Sequence, residues 1–399
     1  MSDSFRPSWY IEKAKQYLPD TILLRRHLHQ HPELSFVENK TAAFIEETLN
    51  AYNIDTTRIG HTGVLALLEG SEDSEKVIAL RADIDALPIH ESHDRTYHSQ
   101  NKGVMHACGH DVHTASLLTT ARILAETKNN WSGKIKIIFQ PAEEKFPGGA
   151  SILINEGVLE NPKPGTILAQ HVSPELTVGQ IGFKAGPFMA SADELYITVR
   201  GKGGHGAMPH TTRDTILIAS HMVVALQQIV SRNNNPLIPS VLTLGKINSD
   251  GGATNIIPGE VCIEGTFRTF DETWRKEAKI LIRNICEGIA QSMGGSVELD
   301  IKNGYPVLLN DADITSRMKD WAIDLLGKQN VIDLPMRTTA EDFAYYSQLI
   351  PACFYRLGTA IPGKEGEKKI HTPDFDIDEN AFITGVAFMT YACHRLLAN

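Results

Sequence analysis

The chain has 399 residues, 42% hydrophobic and 22% charged, a length that favours two domains and a balance typical of a soluble globular protein. Its formal charge of −10 and pI near 5.9, with no basic cluster beyond pairs such as Lys368-Lys369, argue against a nucleic-acid partner. No apolar run reaches the length of a bilayer span, so no membrane partner is expected, and five scattered cysteines do not make a disulfide framework.

Met1–Pro7 lacks a basic segment followed by an apolar one, so no secretory leader is read and a reducing cytoplasm is the expected location. A helix is expected from Ser8 to His31, where Pro32 stops it, and a second from Asn39 to Ala51. His27, His29 and His31 splay around the first helix, which argues against a shared metal and for surface positions.

Val77–Ala82 is an apolar run of strand length that opens into Asp83-Ile-Asp85. These acids would point the same way if the strand persists. They suit either a turn or cap, or the orientation of a metal ligand, and the second reading is preferred.

Gly103-Val-Met-His-Ala-Cys-Gly-His-Asp-Val-His113 holds a thiol, three imidazoles and a carboxylate ahead of a helix expected over 111–128. Thiolate and neutral imidazole are good ligands for zinc-like divalent ions, although one Cys-x-His is a weak signal alone. Lys134–Phe139 is a second strand, emptying into Gln140-Pro-Ala-Glu-Glu144; Thr166–Ala169 is a third, emptying into Gln170-His171. Strands alternating with helices imply a parallel sheet, whose sites lie beyond the carboxyl ends of its strands. All these candidate ligands then fall at one edge.

Glu143 and Glu144 could form a solvated acidic turn. Pro141 and the following Gly148-Gly149 favour instead a loop pressed against a ligand, with one carboxylate on metal and the other taking a proton.

From about Ala192 the order changes to strand Glu194–Arg200, helix Thr211–Ser231, strand Ser240–Ile247, strand Glu260–Phe267, helix Glu272–Met293 and strand Ser296–Ile301, a ferredoxin-like β-α-β-β-α-β unit. The expected organisation is therefore α/β, a mostly parallel central sheet with helices on both faces over 1–187 and 303–399, with an inserted α+β domain over 188–302. In the tail, helix Ile314–Leu326, strand Cys353–Leu357 and helix Ala381–Leu397 are expected to rejoin the first sheet, bringing Thr338–Asp342 and His371 to the same edge.

Gly201-Lys-Gly-Gly-His-Gly206 matches the letters of a dinucleotide fingerprint. Pro209 and further residues separate it from the helix, and Val223-Val-Ala225 stand where an acid should follow, so the glycines are read as a loop that lets His205 or the backbone approach a ligand. Neither a Gly-x-Ser-x-Gly elbow nor a P-loop occurs.

Arg81-Ala-Asp-Ile-Asp-Ala-Leu-Pro88, Met105-His-Ala-Cys-Gly-His-Asp111, Phe139-Gln-Pro-Ala-Glu-Glu144, Gly201-Lys-Gly-Gly-His-Gly-Ala207 and Asn255-Ile-Ile-Pro258 together resemble the amidohydrolase branch of the clan MH dinuclear-metal peptidases. That branch includes aminoacylases, hippurate hydrolases, indole-acetyl-amino-acid hydrolases and N-acetyl-diaminopimelate deacetylases. The resemblance implies a zinc-exopeptidase-like catalytic domain and a lid domain that mediates homodimerisation.

It also implies two divalent ions per subunit, zinc or manganese first and cobalt or nickel as alternatives, on Cys108, His110, Glu144, His171 and His371. Glu143 would be the base that activates a water between the ions, about 3.5–4 Å apart, with Asp85 orienting a ligand. His205 would reach a neighbouring active site and stabilise the oxyanion, and Asn255 and Arg268 would grip a substrate carboxylate. The implied reaction is hydrolysis of an N-acyl amino acid. A dipeptidase or aminopeptidase, and a non-catalytic metal-binding scaffold, are the alternatives.

Overall fold

The computed structural model describes residues 5–92 and 95–398; Met1–Ser4, which the leader reading includes, lie outside them. The chain forms two compact units, one of Met1–Gly186, Leu309–Pro335 and Asp342–Asn399, the other of Pro187–Leu308 with Met336–Glu341. The sequence assigned 336–341 to the catalytic segments; it packs with the second unit instead, through Ala190 N–H bonds to the Arg337 and Thr339 carbonyls.

The first unit begins with α1 (Pro7–Gln30) and α2 (Asn39–Ala51). Proline at the start of α1 costs no hydrogen bond, and Tyr10, Ala14, Tyr17, Thr21, Arg25 and Leu28 make one buried stripe at helical spacing. His29 continues that stripe one turn beyond Arg25, and here the surface reading fails. His29 is fully buried, its Nδ1 2.8 Å from Asp111 Oδ2 and its Nε2 3.2 Å from Glu91 Oε1. His27 stacks on Phe44, and His31 Nδ1 donates to the His27 carbonyl.

The sheet of this unit has eight strands. Its centre is parallel: β4 (Ser132–Gln140), β3 (Glu72–Asp83), β5 (Thr166–Thr177) and the strand Ala352–Ala360. β1 (Thr56–Ile59) and β2 (Gly63–Glu69) extend one edge antiparallel, and β6 (Ile181–Phe183) adds antiparallel on the other.

Alternation along β3 and β4 turns Ile78, Leu80, Ala82, Ile135, Ile137 and Phe139 into one core with α1, α2, α3 (His110–Glu126) and the last helix, Ala381–Leu397. Each fully buried aliphatic side chain there contributes about 1.5–3 kcal/mol. On the other parity, Lys136 is buried and donates to the Val158 and Glu160 carbonyls. The register sets the site: Asp83 pairs with Gln140 and Arg81 with Ala169, so Asp83, Gln140 and His171 end at one level.

The second unit is a four-stranded antiparallel sheet in the order Ser240–Ser249, Glu260–Thr269, Asp193–Arg200, Ser296–Asn303. Leu195, Ile197, Val199, Val261, Ile263 and Phe267 face helices Thr215–Leu226 and Glu272–Ser292. The first helix starts later than expected because Asp214 caps it, accepting from Ile216 and Leu217 N–H. One correction concerns membranes: the helical stretch Thr215–Asn233 is long and apolar enough to cross one by length and composition. Ile218, Met222, Leu226 and Ile229 on it lie in the core of this unit.

The fingerprint glycines serve close backbone approach. A Cβ on Gly201 would meet the Arg213 carbonyl at 2.4 Å, and one on Gly203 the Ile257 carbonyl at 2.7 Å.

Candidate metal centre

Helix α3 carries His110 at its first position because Gly109 precedes it in the left-handed region, at φ 83°, where a Cβ would also strike Val172 at 2.6 Å. Cys108 stands just ahead of that turn. Its Sγ is 3.5 Å from His171 Nε2 on β5 and 3.3 Å from His371 Nε2. His371 is tethered by its own N–H to the Ala107 carbonyl and lies 3.3 Å from Glu144 Oε1, which is 3.9 Å from His110 Nε2.

Potential ligand atoms thus fall into overlapping groups: Cys108, His110 and His171; Cys108, Glu144 and His371; His110, Glu143 and Glu144; and Asp83, His110 and His113. Within each group they lie within 4.8 Å of one another.

The histidine tautomers suit ligation. His110 Nδ1 donates to the Asp85 carbonyl at 2.9 Å and His171 Nδ1 to the Val172 carbonyl at 2.8 Å. A carbonyl can only accept, so each Nδ1 carries a proton and Nε2 is the nitrogen each ring turns toward the cluster. Asp85 Oδ1 also lies 3.1 Å from His110 Nδ1. Among the described residues, buried His110 Nε2 and Glu144 Oε1 have no hydrogen-bond partner, an arrangement that a cation would satisfy.

Electrostatics point the same way. Burial, then Glu144, Glu143 and Asp83, push the Cys108 thiol well up. Burial alone would lower the His110 pKa, but Asp83 and Asp85 outweigh it and raise it to about 10. Burial, then Arg356 and His113, hold His171 neutral. A pocket this rich in negative charge and bare imidazole nitrogen favours a divalent cation, which would ionise the thiol and displace the proton from His110. The residues fit a metal centre.

Glu143 is buried beside the cluster, its Oε1 3.4 Å from the Asp342 N–H. The second unit brings His205 and Asn255 together but leaves Arg268 apart. His205 pairs with Ile256 on a short ladder, and Gly206 N–H donates to the Asn255 carbonyl at 2.7 Å. Arg268 Nη1 donates to the Thr338 carbonyl, and among the described residues no hydrogen bond or ion pair joins it to Asn255 or His205.

Sequence reasoning missed the support beneath the cluster. Arg81 donates to Asp83 at 2.7 Å, Asp342 at 2.8 Å and Gln140 at 2.9 Å, all buried. Ser35 donates to Asp85 Oδ2, and Glu38 is buried beneath the loop before Glu143. The available signal was the pair Glu33 and Glu38, bounding a short stretch after a helix-stopping proline.

Parallel strand ends and the turn into α3 that together bring a thiol, imidazoles and paired carboxylates to one place define a metal-dependent hydrolase. The chain belongs to the peptidase family M20/M25/M40, whose family model matches residues 79–395. It is 44% identical over 376 residues to the N-acetyl-L-cysteine deacetylase of Bacillus subtilis (strain 168), covering 94% of this chain and 87% of that one. It is 46% identical over 292 residues to the N-acyl-L-amino acid amidohydrolase of Geobacillus stearothermophilus, covering 73% and 78%. The crystal structure of the Bacillus subtilis YXEP protein, a dinuclear metal binding peptidase from the M20 family, matches with TM-score 0.84 and 34% identity, covering 96% and 99%.

Proposed function

We propose that this protein is a metal-dependent amidohydrolase that cleaves N-acyl amino acids into a carboxylate and a free amino acid. The observation that carries the reading is the Cys108, His110, Glu144, His171 and His371 cluster with Glu143 beside it, in a chain similar to deacetylases and amidohydrolases of acylated amino acids.

Those five residues would hold two divalent ions, zinc or manganese, with cobalt or nickel compatible with the same donors. When bound, the ions supply Lewis-acid polarisation of the amide carbonyl and a more acidic water. Glu143 takes one proton from the attacking water as its oxygen adds to the carbonyl carbon. It then delivers that proton to the amide nitrogen as the C–N bond breaks. Asp85 holds the His110 ring in one tautomer.

His205 steadies the oxyanion, and Asn255 and Arg268 hold the substrate carboxylate. The active form is a homodimer through the inserted unit, with His205 acting on the neighbouring subunit, in the cytoplasm.

Chelator-stripped protein reloaded with zinc or manganese tests this on a panel of N-acetyl, N-benzoyl and indole-acetyl amino acids and dipeptides. Metal-dependent release of amino acid from the acylated compounds is expected; release from dipeptides alone would replace the reading with a peptidase.

A further inference from the structure

We infer that Glu38 is a positioning residue for Glu143, bracing with Asp85 the peptides on either side of it. The inference rests on the reading of Glu143 as the proton-transferring carboxylate.

Glu38 is fully buried at the start of α2, more than a hundred residues from the loop it supports. Its Oε1 accepts the Phe36 N–H at 2.9 Å and the Ala142 N–H at 2.8 Å, and its Oε2 accepts the Thr62 hydroxyl at 2.7 Å. Phe36 and Ala142 are both non-glycine residues in the left-handed region, at φ 71° and 53°. A conformation that L-residues disfavour persists where the surroundings determine it, and here one carboxylate oxygen holds both amides. The Ala142 carbonyl accepts the Gly149 N–H at 2.9 Å, so this residue is held at both ends.

On the other side of Glu143, the Glu144 N–H donates to Asp85 Oδ2 at 3.0 Å, and Ser35 donates to the same oxygen at 2.7 Å. The amides immediately before and after Glu143 therefore both end on buried carboxylates, and Ser35 and Glu38 come from one short loop. Among the described residues no cation pairs with Glu38, so its hydrogen bonds to Phe36, Ala142 and Thr62 are what the buried acid offers the fold. If Ala142 relaxed to the right-handed region, the peptide carrying Glu143 would turn, displacing a group whose proton transfer depends on sub-ångström placement.

The test uses full-length protein, metal-reconstituted for kinetics, with Glu38→Ala, Glu38→Gln and Glu143→Gln assayed on one N-acyl amino acid. Glu38→Ala should lower kcat roughly 10- to 100-fold with KM within about twofold and metal content unchanged. Glu38→Gln, which keeps an oxygen acceptor for Ala142, should restore kcat to within about fivefold of wild type. In metal-free protein, amide exchange over residues 140–149 should be at least about tenfold faster in Glu38→Ala, with the rest of the chain unchanged.

Wild-type kcat and loop exchange in Glu38→Ala, with Glu143→Gln inactive, would overturn the positioning role alone. Wild-type kcat in Glu143→Gln would overturn the base reading and the positioning role with it. A loss fully explained by missing metal would also overturn positioning. If Glu38→Ala does not fold, Glu38→Asp, which keeps the charge but falls one methylene short of Ala142, should show the same kcat loss at unchanged KM.

Discussion

His113 Nδ1 lies 2.5 Å from Asp83 Oδ1, joining the first turn of α3 to the end of β3. Because His113 Nε2 accepts the Val172 N–H at 2.9 Å, the proton must sit on Nδ1, and the neutral ring becomes a strut between β3 and the β5 residue next to His171. Removing it with His113→Ala should loosen His171 and lower divalent-metal affinity about 10- to 100-fold. Competition with a chromophoric chelator measures this, and unchanged affinity would refute the strut.

Glu143 is the group whose loss should separate chemistry from metal binding. Glu143→Gln should reduce kcat about 10²- to 10⁴-fold while metal analysis still finds two ions per subunit. A variant that loses metal in proportion to activity would assign Glu143 to ligation instead.

His29 predicts a pH dependence of stability. Burial alone would lower its pKa, but hydrogen bonds to Asp111 and Glu91 raise it above the ordinary value of 6.5. A raised folded-state pKa contributes stability that is fully present below about 6.5, the unfolded value, and is lost as pH rises through the folded value. The gap in denaturation midpoint between wild type and His29→Gln should be larger at low than at high pH. Equal gaps at both ends of that range would show that the ring stays neutral.

In the second unit, Arg275 donates to Asp193 at 2.7 and 2.8 Å, with Asp193 fully buried. Among the described residues, Arg275→Ala would leave that carboxylate with Lys279 as its remaining cation. The expected cost is about 3 kcal/mol, read as a lower thermal midpoint. A shift within error of wild type would mean that Lys279 suffices.

Much of the candidate site was legible in the sequence because its donors stand in short motifs: Cys108 and His110 together at the start of α3, Glu143 and Glu144 in one loop after the apolar run of β4, and His171 on the apolar run of β5. The ferredoxin-like unit was legible for the same local reason, since alternation along Asp193–Arg200 and the stripe of Glu272–Ser292 follow from nearest neighbours. β1 and β2 were not, because these four- and seven-residue strands take their form from pairing, β2 with β4 and β1 with β2.

The sequence by itself determined which chemistry is available: soft and hard metal donors at strand exits and at the start of α3, a second carboxylate adjacent to a ligand, and an inserted domain with its own core. Only the tertiary structure decided which of several similar residues does what. His29 is buried while His31, two residues on, is half-buried, because the α1 stripe meets Asp111 on α3. Glu38, unremarked among many acids, lies under Glu143 because the loop after α1 meets the end of β4. Such pairings depend on contacts between segments remote in sequence, whose geometry exists only once the sheet has brought them to one level.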